Sequence, residues 1–153
     1  MIAVDQSIAY TNVISKEYFF HYSEMEQVIE DFISEIGEAN LTIKGPMFYA
    51  LKNIPKDEDM YIELFMPVHE DKIPSTESLK YRSYYYVDEM LMKRFTGNYE
   101  ALTEFVYAEL LQYIVDNDLN LASPIYHVFG GDESIQYVDV KVSVLVNNRK
   151  NKN

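Results

Sequence analysis

With 153 residues, 48% of them hydrophobic, only 10 Gly and Pro together and no low-complexity segment, the chain is long enough to bury a core and belongs to the globular class. Thirteen basic against 25 acidic residues give a formal net charge of −12, which repels the phosphate backbones of DNA and RNA, and the absence of Cys excludes disulfides, thiolate nucleophiles and thiolate metal sites. The first ten residues carry Asp5 and no basic start, and no apolar run reaches membrane-spanning length, so a soluble cytoplasmic protein is expected, with disorder confined to the polar tail after Val146.

Fourteen Tyr and eight Phe against no Trp imply wide, half-buried sheet surfaces. A strand is predicted over Asn12 to Tyr22. A helix follows in "SEMEQVIEDFISEIG", where Met25, Val28, Ile29, Phe32, Ile33 and Ile36 recur at helical spacing. Ser23 and Glu26 form a capping box at its start, and Gly37 stands near its end. A short strand is expected from near Pro46, then the turn "NIPKDED", then an alternating strand from Tyr61 to Val68. The connector His69 to Lys80 leads to a strand over Ser83 to Phe95. A second helix starts at the cap Asn98 and stops near Asn117, with Leu102, Phe105, Val106, Leu110, Tyr113 and Ile114 as its stripe. A short strand from near Pro124, the turn "GGDES" and the alternating strand Tyr137 to Val144 close the pattern.

The order strand–helix–strand–strand therefore occurs twice, and the sequence repeats with it. Leu41, Ile43 and Pro46 fall on Leu119, Leu121 and Pro124 at a lag of 78 residues, as do Val28 on Val106, Phe32 on Leu110 and Ile36 on Ile114. The last strands agree at a lag of 76, because the second hairpin turn is two residues shorter. One domain over 1–146, built of pseudo-repeats at about 12–68 and 83–146, is expected, with 147–153 as a polar tail. The fold class read from this is α+β: duplicated strand–helix–strand–strand halves forming antiparallel sheets, with two helices and a cleft between the halves.

The run "FTGNYEALTEFVYAELLQYIVDNDLNLASPIYHVF" followed by "YVDVKVSVLV" resembles the GyrI-like small-molecule-binding family. That family includes DNA gyrase inhibitory protein and the effector-binding domains of bacterial multidrug-responsive transcription activators. Its marks are Gly-x-Tyr opening the second helix, here Gly97-Asn98-Tyr99, then a Pro-led strand and a hairpin; "GPMFYAL" and "IELFMPV" resemble it more weakly in the first half. The resemblance covers about Asn12 to Val146. It implies a cleft that takes lipophilic, often cationic or aromatic, compounds. The fold consumes nearly all of the chain, so regulation is expected to require a protein partner rather than direct nucleic-acid contact. Where many members carry a cleft Glu on the second Pro-led strand, this chain has His127, aligned with Tyr49 in the first half. A neutral imidazole accepts a hydrogen bond or a proton but supplies no permanent negative charge, which weakens both cation preference and family-type hydrolysis.

Strand parity gives a further set. If Ile62, Leu64 and Met66 cover the first helix, then Tyr61, Glu63 and Phe65 lie opposite, as do Tyr137, Asp139 and Lys141 against the second-half valines. Aromatics with one acid per half, Glu63 and Asp139, suit a flat or cationic ligand; the alternative is cross-strand packing by the tyrosines and solvated acids. In "YYY", Tyr84 and Tyr86 share one face and Tyr85 takes the other. The candidate ligand-binding residues are His127, Tyr49, Tyr61, Glu63, Tyr137, Asp139, Tyr86 and Phe129. The three dispersed histidines give no metal-ligand spacing, "VHED" is a solvated strand end, and no cofactor is implied. Ser123 and Asp139 flank His127 in sequence without a nucleophile elbow, and Gly130-Gly131 is a hairpin turn rather than a phosphate loop. The preferred function is a stand-alone binding protein for a lipophilic or aromatic small molecule. The alternatives are an acidic protein that inhibits a nucleic-acid enzyme, as in gyrase inhibition, and a small-molecule hydrolase.

Overall fold

The computed structural model describes residues 1–53, 58–97, 99–131 and 136–147. In chain order its elements are β1 (Ala3–His21), α1 (Met25–Glu38), β2 (Phe48–Leu51), β3 (Asp59–Pro67), β4 (Lys80–Phe95), α2 (Tyr99–Asp116), β5 (Leu119–Gly131) and β6 (Gln136–Val146). The class is α+β, with strand–helix–strand–strand occurring twice and all strand pairs antiparallel among the described residues. Two compact units follow from the contacts: Ala9–Tyr86, and Met1–Ile8 with Val87–Asn153. The chain crosses from one unit to the other within β1 and within β4.

In the first unit β3 is central, paired with β1 from Val13↔Pro67 to His21↔Asp59 and with β2 from Phe48↔Phe65 to Leu51↔Ile62. Alternation decides its two faces. Ile62, Leu64 and Met66 share a side with Tyr18 and Lys16 of β1, and α1 lies on that side: Tyr18 meets Phe32 edge-on at 6.5 Å, and Lys16 pairs with Asp31 and Glu35. Val28, Phe32 and Ile36 are the buried residues of α1. Ile33, placed in the stripe by spacing, is 41% exposed, one step round the helix from the buried line.

The helix entry also differs from expectation. A 3-10 turn at Tyr22–Glu24 precedes α1, and its cap is His21, whose side chain accepts from the Ser23 backbone while Glu24 accepts from the His21 N–H. The reciprocal cap thus forms two residues earlier than Ser23 and Glu26, and His21 is the cap itself.

In the second unit β6 is central, paired with β4 from Met90↔Ser143 to Phe95↔Val138 and with β5. Its valines 138, 140 and 142 pack with Leu91, Phe95 and the α2 residues Val106, Leu110 and Ile114. Phe105 does not join them; it is 62% exposed, because α2 carries apolar residues around its whole circumference and the sheet selects the Val106 line. Strand β5 begins at Leu119 rather than near Pro124. It runs through the proline with a register shift between Leu121 and Ile125, where a residue lacking an N–H is tolerated. The cap Asn98, the turn residues 54–57 and 132–135 and the tail 148–153 lie outside the described residues.

Candidate functional site

The face of the first unit that β3 turns away from α1 gathers charge and aromatic rings. Strand parity brings Glu63 and Phe65 of β3 beside Ser15 of β1 and Phe48 of β2. Glu63 is only 3% exposed. Its Oε2 accepts from Ser15 Oγ at 2.7 Å and from Arg82 Nη1 at 3.0 Å, its Oε1 lies 3.1 Å from Lys52 Nζ, and the same guanidinium donates to Ser15 Oγ at 2.8 Å. Burial alone would raise the Glu63 pKa; the Ser15 hydrogen bond, the Arg82 charge and the Lys52 contact outweigh it and hold the carboxyl below its ordinary value. The carboxylate is ionised and matched from within, so it leaves no free negative charge for a cation.

Beside it, Phe48 stacks on Phe65 at 4.7 Å and 7°, Tyr85 lies 4.6 Å from Phe65 and 5.6 Å from Phe48, and Tyr10 lies 5.5 Å from Phe48. The Arg82 guanidinium sits 5.5 Å from the Phe65 ring and 5.6 Å from the Tyr85 ring, within cation–π reach of both. Phe48 and Phe65 are buried, whereas Tyr10, Arg82 and Tyr85 are half-buried and keep part of their surface accessible. Tyr61, on the same face of β3, donates to Glu17 at 2.6 Å and adjoins the exposed Phe19.

The second unit carries the matching acid, Asp139, in a different setting. It is held bidentately by its cross-strand partner Arg94, Nε to Oδ1 at 2.7 Å and Nη2 to Oδ2 at 3.0 Å, and that guanidinium lies 3.7 Å over the Tyr137 ring. Lys141, next along the same face, donates to the Ser7 carbonyl at 2.8 Å, and burial lowers its pKa.

His127 is elsewhere. Its cross-strand partner is Val140, so it shares the valine face and lies under α2, wholly buried. Its Nε2 shares a 2.5 Å hydrogen bond with the Tyr107 hydroxyl of α2, and burial pushes its pKa down to about 3, which keeps it neutral. Phe129, partner of Val138, packs on the same core. Tyr49 pairs with Leu64 and is buried on the α1 side. Tyr86 is 52% exposed and stacks on Tyr84 at 5.9 Å, with Tyr85 on the opposite face.

Of the eight residues proposed from the sequence, only Tyr61 and Glu63 stand on the aromatic face of the first unit. Tyr137 and Asp139 occupy the corresponding face of the second, His127, Tyr49 and Phe129 lie on helix-covered faces, and Tyr86 is exposed beside Tyr84. A Ser–His–Asp relay does not form: His127 and Asp139 are adjacent in register to Val140 and Val128 respectively and point to opposite sides of the sheet, while Ser123 Oγ is engaged with the Pro124 carbonyl and the Ser143 N–H. Sequence reasoning missed Ser15, Lys52, Arg82 and Tyr10. Alternation along β1 points to Ser15; nothing local marks Arg82, whose role arises from pairing across 19 residues.

Among solved structures, the C-terminal domain of EcmrR matches with a TM-score of 0.76 at 18% identity, covering 96% of this chain and 98% of that one. An EcmrR chain in a DNA complex matches at 0.75 and 18% identity, over 96% of this chain but 58% of its own length, so the present chain spans little more than half of that protein. A hydrolase from Listeria innocua matches at 0.57 and 10% identity, over 95% and 90% of the two chains. At these identities the likeness is one of fold, and the fold is the GyrI-like one that the order of motifs resembles. Among curated proteins none matches the sequence. A family model described as a domain of unknown function, DUF5085, matches residues 9–146, and the chain belongs to that family.

Proposed function

We propose that the chain binds a planar aromatic or lipophilic small molecule on the face of the Ala9–Tyr86 unit that β3 turns away from α1. One observation carries this reading: the ring cluster Tyr10, Phe48, Phe65 and Tyr85 lies beside an Arg82–Glu63–Ser15 network whose carboxylate is already matched by cations. Buried polar groups fixed in this way hold a guanidinium at a set position among aromatic faces, which is the composition of a small-molecule site: mostly apolar walls with a few placed polar groups. Because Glu63 is matched by Arg82 and Lys52, an uncharged ring system is preferred over a cation. The GyrI-like fold shared with the C-terminal domain of EcmrR supports a ligand-binding role.

A thermal-shift screen with planar neutral, cationic and anionic aromatics tests the proposal. Neutral planar compounds raise the unfolding midpoint, as any ligand of the native state does, and Tyr85→Ala removes that rise. No shift from any compound at saturating concentration would sink it.

A second reading has its own observation. Phe105, Leu111 and Val115 of α2 are exposed on a chain of net charge −12, a combination suited to a partner of basic surface. Purified gyrase, as the probe, is then retained at low salt and released as salt rises; an absent or salt-insensitive complex counts against this reading.

A further inference from the structure

The second unit contains an apolar groove unrelated to the aromatic face just described. Helix α2 buries Val138, Val140 and Val142 beneath Val106, Leu110 and Ile114, but the sheet outruns the helix. Strands β5 and β6 continue beyond its last turn, pairing Leu119 with Val146 and Leu121 with Val144, so their helix-side residues there lose their cover. The result is a half-open groove of about 280 Å³ whose walls include Tyr113, Leu119, Val144 and Leu145. That volume lies at the small end of ligand sites and fits one ring with a short alkyl chain.

Among the described residues of the lining, Asp5 of β1 and Glu89 of β4 carry carboxylates and none is Lys or Arg. Both have left-handed backbone, φ 56° and 54°, where the two strands depart from regular alternation. Both are exposed, and among the described residues neither has an ion-pair partner. This is the reverse of Glu63 and Asp139, each of which is matched by a cation of its own unit. Unmatched negative charge beside apolar walls selects an occupant with a positive head and an apolar body.

We infer that this groove is a second ligand site, for a small amphipathic amine: its hydrocarbon part lies against Leu119, Val144 and Tyr113 and its ammonium between Asp5 and Glu89. The site is separate from the one in the first unit and takes a different charge class.

The test uses the full chain and three probes of one shape: 4-phenylbutylamine, 4-phenylbutanol and 4-phenylbutyrate, titrated while methyl NMR resonances are followed. The amine moves the Leu119, Val144 and Leu145 methyls and binds roughly fivefold more tightly than the alcohol, the ratio that about 1 kcal/mol of exposed ion pairing gives; the carboxylate binds more weakly than the alcohol. Asp5→Asn with Glu89→Gln, two exposed polar exchanges, brings amine and alcohol to equal affinity. Equal affinity of the two in the unaltered protein would overturn the inference, as would shifts confined to the neighbourhood of Phe48, Phe65 and Tyr85. In the Tyr85→Ala protein amine binding persists, so failure at one site is told apart from failure at the other.

Discussion

Val28, Phe32 and Ile36 of α1 and Val106, Leu110 and Ile114 of α2 occupy matching positions 78 residues apart, and all six are buried. Ile33 and Leu111, also matched, are both exposed. The two units therefore present the same helix line to the same strand face, and they differ in where each keeps its polar groups. Beneath α1 lies Tyr49; beneath α2, at the matched position, lies His127, bonded to Tyr107, which stands where α1 has Ile29. On the opposite sheet faces, Glu63 is locked by Ser15, Lys52 and Arg82 among four aromatic rings, whereas Asp139 has one arginine that is half exposed. The first unit concentrates its compensated charge on the aromatic face, and the second places a neutral polar pair inside its helix-covered core. One strand–helix–strand–strand frame thus occurs twice, and the two occurrences differ in where their polar side chains sit.

That contrast breaks first at the arginines. Arg82→Leu leaves a buried carboxylate with Lys52 and Ser15 alone and is expected to cost about 3 kcal/mol in urea unfolding, the lower end for breaking a buried pair. Arg94→Leu removes a partner that is 51% exposed and is expected to cost about 1 kcal/mol. Equal losses would mean that the two acids are equivalent after all.

The second contrast is one of pH. In the unfolded chain His127 titrates near its ordinary 6.5, while in the folded protein burial holds it at about 3. As pH falls below 6.5 the unfolded state takes up the proton and the folded state does not. The contribution of His127 to stability is therefore greatest above pH 6.5 and is lost progressively toward pH 3, by up to about 1.4 kcal/mol per pH unit. Unfolding free energies between pH 7 and pH 5 should show a loss of about 2 kcal/mol that His127→Leu abolishes. A slope unchanged in that variant would assign the pH dependence to other groups. Tyr107→Phe sharpens the same point: removing the hydroxyl that meets Nε2 should cost about 1 kcal/mol at neutral pH, with the slope retained.

These side-chain placements show how far the sequence could be read. The helices, the strand order and the faces of β3 and β6 follow from periodicity, because each alternates aliphatic with other residues. β2 and β5 do not. Phe48 and Ala50 alternate with Tyr49 and Leu51, and Ile125, His127 and Phe129 with Tyr126 and Val128, so both faces are apolar and either could cover the helix. Only the pairing register, His127 to Val140 and Tyr49 to Leu64, assigns the face, and a slip of one residue would reverse it. The resemblance placed His127 where other members carry an acid, but it could not show which side of this sheet the ring occupies. Arg82 was illegible for another reason: its partners are distant in sequence and its own strand segment has no alternation to mark it.

The smallest difference lies at a single matched position. Lys52 follows β2, its N–H bonded to the Tyr61 carbonyl, and its ammonium reaches Glu63. The residue 78 positions later is Gly130, opposite Tyr137, and there the space of a side chain is taken by the tyrosine ring: a Cβ at 130 would stand 2.5 Å from ring atoms of Tyr137. The absent side chain thus lets Tyr137 fold across the strand and lie beneath Arg94, where the first unit instead sends a second cation to its acid. Gly130→Ala should swing the flexible ring aside, separate it from Arg94 and cost about 1 kcal/mol, the usual size of a single-residue packing change. The ring resonances of Tyr137 and the exchange behaviour of the Arg94 Nε proton report that separation directly. If both are unchanged in the alanine protein, the ring does not depend on the missing side chain, and the different partners of Glu63 and Asp139 must be traced to Arg82 and Lys52 alone.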